Sequence, residues 1–209
     1  MFLFLNPWFR ENIVNPRNRK RLTNRNVSII CNNCVGAVMA HDLGMQFRSP
    51  FVNLWLYPRD YIKFCENMHY YLNCKLKFIS PHVFNVNYPV AMLDDITIFF
   101  QHYHSEEEAK IAWEKRKTRI NLDNICCLLI ERDGCTKNDL IRFANLPYPT
   151  ASLVHTPMPD IRNSHYIHGF EKDGQVGNTI LFRNNQYFGA RYFDDFDFVS
   201  FFNSLSGPQ

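Results

Sequence analysis

Val27-Ser28-Ile29-Ile30-Cys31-Asn32-Asn33-Cys34-Val35-Gly36-Ala37 reads as a buried strand that runs into a tight polar turn and then a helix. Val27, Ile29 and Ile30 are β-branched and suit a pleated, packed surface, whereas Asn32 and Asn33 tolerate turn geometry. Gly36 and Ala37 are small enough for a helix to begin close against the strand end. This is the opening of a strand-turn-helix unit, and it places the Cys34 thiol at the mouth of a sheet. Near a helix N-terminus, free N–H groups and the macrodipole are expected to lower a thiol pKa.

The same alternation continues along the chain. A short helix is expected over Val35 to Leu43, closed by Gly44, then a short strand over Asn53 to Leu56. Pro58 opens an amphipathic helix to about Leu72, since proline suits the first helical position and Tyr61, Ile62, Phe64, Cys65 and Met68 share a face. Strands follow over Lys75 to Phe78, Val90 to Leu93 and Ile96 to Phe100, the last two joined at Asp94-Asp95. Ser105-Glu106-Glu107-Glu108 has the pattern of a capping box and starts a helix to about Asn121. Ile125 to Ile130 is the continuous apolar run of a strand buried on both faces, followed by the turn Arg132 to Thr136, a helix to Asn145 and a strand over Ala151 to His155. Four such alternations predict an α/β fold, a three-layer α/β/α sandwich around a mixed, largely parallel sheet. The organisation read from this is a basic, aromatic arm over residues 1–24, a single α/β domain over 25–203 and a frayed tail over 204–209.

At 209 residues the chain is long enough for one well-cored domain. A net charge of +3 is too small to imply nucleic-acid binding, but residues 1–26 concentrate Arg10, Arg17, Arg19, Lys20, Arg21 and Arg25 against Glu11 alone. With Phe2, Leu3, Phe4, Leu5, Trp8 and Phe9 ahead of it, this arm is either a solvated helical lead-in or a contact for an anionic membrane surface or a membrane synthase. Its apolar run is too short to span a bilayer, and it lacks the basic leader and cleavage site of a signal peptide. Seven scattered cysteines form no secreted disulfide framework. The expected location is therefore the cytoplasm, with peripheral contact at the inner membrane face.

Ligands of such folds gather at the carboxyl ends of the strands, so the turns there hold the candidates. Asn32, Asn33 and Cys34 follow the first strand, His102 and His104 follow Ile96 to Phe100, and Arg132 and Asp133 follow Ile125 to Ile130. His41 lies seven residues beyond Cys34, on roughly the same helix face. A thiol with an imidazole suffices for nucleophilic acyl transfer, with asparagine amides or helix N–H groups holding an oxyanion. The competing reading makes Cys34 a small buried hydrophobe. Cys31 and Cys34 also form Cys-x-x-Cys, but no second pair at such spacing completes a zinc site, and Cys31 fits as the last strand residue. No metal site is expected. Arg116 on an apolar helix face either pairs with a carboxylate or reaches a phosphate, with Arg119, Asn121 and Arg132 available to join it. Gly-rich phosphate loops, Gly-x-Ser-x-Gly and His-Glu-x-x-His are missing from the sequence, which weakens P-loop kinase and serine hydrolase readings.

Ile29 to Gly36, Ser49-Pro50, Pro58 to Tyr61, Tyr88-Pro89-Val90, His102-Tyr103, Arg116 to Asn121, Arg132 to Cys135, Asn145-Leu146-Pro147 and Gly169-Phe170-Glu171 together resemble a bacterial exopolysaccharide-biosynthesis family, a domain of unknown function found in capsule and lipopolysaccharide gene clusters. The resemblance runs from about residue 25 to 203 and implies a three-layer α/β fold and a role in surface-polysaccharide assembly. The chain departs from the family pattern at Cys31, Val35 and Ala37, where serine, tryptophan and glycine are usual. The Asn33-Cys34 turn is also similar to that of capsule acetyltransferases, which use cysteine and histidine on coenzyme A thioesters. That likeness implies an O-acyltransferase that uses acetyl-CoA or a related thioester on a sugar or nucleotide-linked sugar. Cys34 would then act with His41 or His102 as base, Asn32 and Asn33 would hold the oxyanion, and Arg116, Arg119 and Arg132 the phosphates. The alternatives are a glycosyl- or phosphosugar-transferase using a nucleotide sugar, and a non-catalytic assembly factor docking through the arm.

Overall fold

In the computed structural model, residues 5–183 and 188–205 are described. Two sheets organise them. β1 (Ser28–Cys31), β5 (Ile125–Ile130), β6 (Thr150–Val154) and β7 (Ser164–Tyr166) form a parallel sheet in the order β1-β5-β6-β7. β2 (Leu76–Ile79), β3 (Val90–Leu93) and β4 (Ile96–Phe99) form a separate antiparallel sheet in the order β2-β3-β4. The fold is thus α/β, and the parallel and antiparallel strands expected of one mixed sheet occupy two. The β3–β4 connection at Asp94, which takes a left-handed backbone (φ 58°), makes a hairpin that pairs locally.

The parallel sheet is covered on both faces, as the unbroken apolar run of β5 requires. Ile30, Cys127, Leu129 and Val154 face a core shared with α4 (Pro58–Glu66), α6 (Glu106–Lys117) and α7 (Lys137–Ala144). Ile29, Cys31, Cys126, Leu128 and Leu153 face a second core with α3 (Val35–Asp42) and α8 (Phe198–Ser204). Gly36 lies so close to β1 that an added Cβ would stand 2.7 Å from Cys31 Cβ, which is the close helix start that the small residues predict. The expected single helix from Pro58 breaks at Asn67 (φ −127°, ψ 42°) into α4 and α5 (Met68–Asn73). At α6, Ser105 accepts the Glu108 N–H, but the Glu108 carboxylate turns to the His104 N–H, so the full capping box is found instead at Thr136 and Asp139 on α7.

The N-terminal arm is built into the domain. It forms α1 (Leu5–Phe9), a π-helical turn over Arg10–Val14 and α2 (Asn15–Arg21). Arg10 is fully buried and binds Asp42 at 2.7 Å and Asp194 at 2.5 Å. Arg19 donates to the Asp42 carbonyl, and Arg21 pairs with Asp197. Arg25 donates to the Arg19 carbonyl, so Arg10, Arg19, Arg21 and Arg25 of the basic run are spent on internal contacts rather than left free for a membrane surface. Phe2, Leu3 and Phe4, and residues 206–209 of the expected frayed tail, lie outside the described residues; Ser204 closes α8. Among the described residues no helix is long and apolar enough to cross a membrane.

Candidate functional site

The carboxyl edge of the parallel sheet opens into a cleft of about 560 Å³. β1 delivers Asn33 and Cys34 to it, and the turn after β5 delivers Arg132 and Asp133. Segments flanking the antiparallel sheet add Trp55, Tyr88, Gln101 and His102 to the cleft lining, and Gly177 to Ile180 complete it. Trp55 is held there by a two-way backbone bridge to Phe99 of β4, all that forms of the strand expected over Asn53 to Leu56. Val176 N–H donates to the Glu131 carbonyl at 2.8 Å and so ties the Gly177 segment to the end of β5.

Cys34 occupies the N-cap position of α3, as its sequence position predicts, and is partly buried. Its pKa moves opposite to the expectation. Burial pushes the thiol up, and hydrogen bonds from the Asn53 and Leu54 backbone offset this only in part. Sγ also stands 3.8 Å from the Leu54 carbonyl, which it can reach only as a donor. The resting group is a thiol that needs a base. His102 supplies an imidazole in the same cleft, carried by a turn whose N–H donates to the Asn53 carbonyl at 3.3 Å. β4 ends at Phe99, so strand alternation does not reach His102 and His104, which lie in the turn beyond it.

His41 does not line the cleft. It lies in the last turn of α3 with its side chain 68% exposed and Nδ1 3.6 Å from Asp42. Seven residues of helix put it roughly 10 Å along the axis from Cys34, so sharing a face does not bring it to the same end. Asn32 is also removed from oxyanion binding. It is buried, its Nδ2 donates to the Ile130 carbonyl at 3.1 Å, and its Oδ1 accepts the Ile130 N–H at 2.9 Å. It extends the β1–β5 ladder by one side-chain pair. Asn32→Ala should therefore cost about 2 kcal/mol of stability by stranding both groups of Ile130, read as a lowered urea midpoint; an unchanged midpoint would refute the clamp. Asn33 spends its Oδ1 on the Val35 N–H, which leaves its amide group to the cleft.

The arginines do not form one clamp. Arg132 lines the cleft with Nε 3.0 Å from Asp133, whereas Arg116 and Arg119 line a separate groove of about 360 Å³ with Lys115, Phe47 and Glu108. Arg116 donates to the Tyr103 hydroxyl and the Val52 carbonyl, so neither of the expected partners, a carboxylate or a phosphate, is needed to hold it. Asn121 is a turn residue at the amino edge of the sheet, donating its N–H to Ser28 Oγ and accepting from the Asp123 N–H.

Sequence reasoning passed over Trp55, Tyr88, Gln101 and Thr179, because aromatic abundance and an aperiodic loop carry no spacing signal. It also passed over a carboxylate-imidazole pair that the strand-end rule would have found. Glu131, just after β5, lies 2.6 Å from Nδ1 of His155, just after β6, and accepts the His155 N–H at 2.9 Å. Both side chains are mostly buried. The Cys135 thiol nearby is pushed up to about 12, chiefly by burial, with Asp139 and Glu131 adding to it.

A protein family described as a domain of unknown function (DUF1919) matches residues 6–203. The match begins within α1, so the arm falls inside the family unit rather than ahead of it. A protein of Haemophilus influenzae (strain ATCC 51907 / DSM 11121 / KW20 / Rd), described as an uncharacterized protein, is 40% identical over 191 residues, covering 91% of this chain and 90% of that protein.

Proposed function

The chain belongs to the DUF1919 family, and from that premise and the contents of the cleft we propose an O-acyltransferase of surface-polysaccharide assembly that moves an acyl group from a coenzyme A thioester to a sugar hydroxyl. The observation that carries this reading is the meeting of Cys34 and His102 in one cleft at the carboxyl edge of the sheet. In the first half-reaction Cys34 Sγ attacks the thioester carbonyl while His102 takes the thiol proton. Coenzyme A leaves as the thiol with that proton, and the acyl group remains on Cys34. In the second, the acceptor hydroxyl attacks the Cys34 thioester, giving its proton through His102 back to Sγ as the sugar ester forms. The Asn33 amide group is the oxyanion donor in this scheme, and among the described cleft residues Arg132 is the arginine that a phosphate would share with Asp133. Leu5, Trp8 and Ile13 stay exposed on the N-terminal arm, which is where we place contact with a membrane synthase at the inner face.

The test is intact-mass analysis of the full chain after incubation with acetyl-CoA and no acceptor. Under this proposal one acetyl group appears on wild type, maps to Cys34 and is absent from Cys34→Ala. Acetylation that persists in Cys34→Ala, or none on wild type, sinks the covalent scheme. The nucleotide-sugar reading would then gain if a nucleotide sugar, but not coenzyme A, raised Tm.

A further inference from the structure

One face of Trp55 is stacked on a second ring, and its side chain lines the cleft. Its indole stacks on Phe99 with centroids 4.1 Å apart and planes within 9°. Tyr57 meets Trp55 edge-on at 5.0 Å and Phe99 at 5.6 Å. A ring lying over the far face of the indole would be much farther from Phe99 than from Trp55; the similar distances set Tyr57 beside the stack. The indole N–H donates to the Tyr88 hydroxyl at 3.3 Å, so the polar edge is occupied as well. What Trp55 presents to the cleft is thus a flat apolar face backed by a second ring and held from two sides. No other aromatic ring among the described residues stacks on it.

The groups around this face suit a neutral polyol. Asn33 and Asn178 each spend their side-chain oxygen on a local backbone N–H, of Val35 and Ile180, and keep their amide donors. Gln101 is exposed at the rim and has no side-chain hydrogen bond among the described residues. Arg132 is paired with Asp133, so the cleft carries no uncompensated cation of its own among the described residues. Thr179, 1% exposed in the Gly177 to Ile180 segment, has a buried hydroxyl with no partner. Buried hydroxyls are costly when unpaired, and a ligand hydroxyl would complete this one.

The geometry points to a subsite for a neutral pyranose ring, its axial C–H face on the indole of Trp55 and its hydroxyls on Thr179, Asn33 and Asn178. Polarised C–H bonds suit the negative face of an aromatic ring, and equatorial hydroxyls radiate into the plane where the polar groups stand. As an account of the acceptor, this rests on the transfer reading above; as a binding site it does not need the thiol.

Saturation-transfer NMR on the full chain with methyl pyranosides, and separately with adenosine, tests it. Saturation is expected on the hydrogens of one ring face of at least one pyranoside, with binding weakened about tenfold in Trp55→Ala and about threefold in Thr179→Val. Cys34→Ala should leave the pattern unchanged, which separates failure of the subsite from failure of the acyl scheme. Should Trp55→Ala not fold, indole fluorescence of Trp8→Phe reads the same contact, because Trp113 is fully buried. Absence of pyranoside contact, or a Trp55-dependent signal from adenosine alone, overturns the proposal.

Discussion

Replacing Asp42 with alanine is expected to destabilise the protein by about 3–5 kcal/mol, a larger loss than any cleft substitution should cause. Asp42 Oδ2 accepts from Arg10 Nε at 2.9 Å and Nη2 at 2.7 Å, and both side chains are about 98–99% shielded from solvent. Without the carboxylate, the Arg10 guanidinium keeps Asp194 but stays buried with half of its compensation gone. For a chain of this length such a loss lowers Tm by roughly 6–20 °C. Chemical denaturation of Asp42→Ala checks it, and a loss below about 1 kcal/mol would show the pair to be idle. Replacing both partners, as Arg10→Met with Asp42→Leu, should recover much of the loss, since Asp194 is partly exposed and can turn to water.

Cys34→Ala carries the largest expected effect on activity, a loss on the order of 10³-fold or more in kcat, because removing a nucleophile removes the covalent route. His102→Ala should cost about 10²- to 10⁴-fold, the range for a lost general base. His41→Ala should leave the rate unchanged, since its side chain stands in solvent at the far end of α3. The raised thiol pKa adds a pH signature. With burial favouring the protonated form, iodoacetamide labelling of Cys34 should keep rising with pH beyond the range of an exposed thiol. Labelling that saturates near neutral pH would show that a thiolate already exists and that the burial argument is wrong. Equal losses for His41→Ala and His102→Ala would in turn undo the assignment of the base.

The elements that could be read in advance were those with local causes. β5 spans Ile125–Ile130 as its apolar run predicts, and α3, α6 and α7 begin at the capping or small residues expected to start them. β7 was missed because Ser164-His165-Tyr166 has neither length nor alternation; it pairs only because β6 offers an edge. The site was half legible for the same reason. Cys34, Asn33, Arg132 and Asp133 follow strands whose ends could be placed, so they were found. Trp55 and Thr179 reach the cleft through long-range pairing and an irregular segment, which no periodicity encodes. The role given to Asn32 failed because its neighbour Ile130, 98 residues away, consumes both ends of its amide. Helix position alone suggested a lowered Cys34 pKa, but desolvation of the thiol outweighs the helix end.

The Arg10 contacts also set a timetable. Arg10 reaches Gly189 and Asp194 across 179 and 184 residues of chain, and the Asn203 side chain accepts the Thr23 N–H from the opposite terminus. β1, an edge strand, has no sheet partner until β5 exists. The basic segment ahead of β1 is therefore among the last to find its place, and it must wait exposed until the chain through Asn203 has been synthesised.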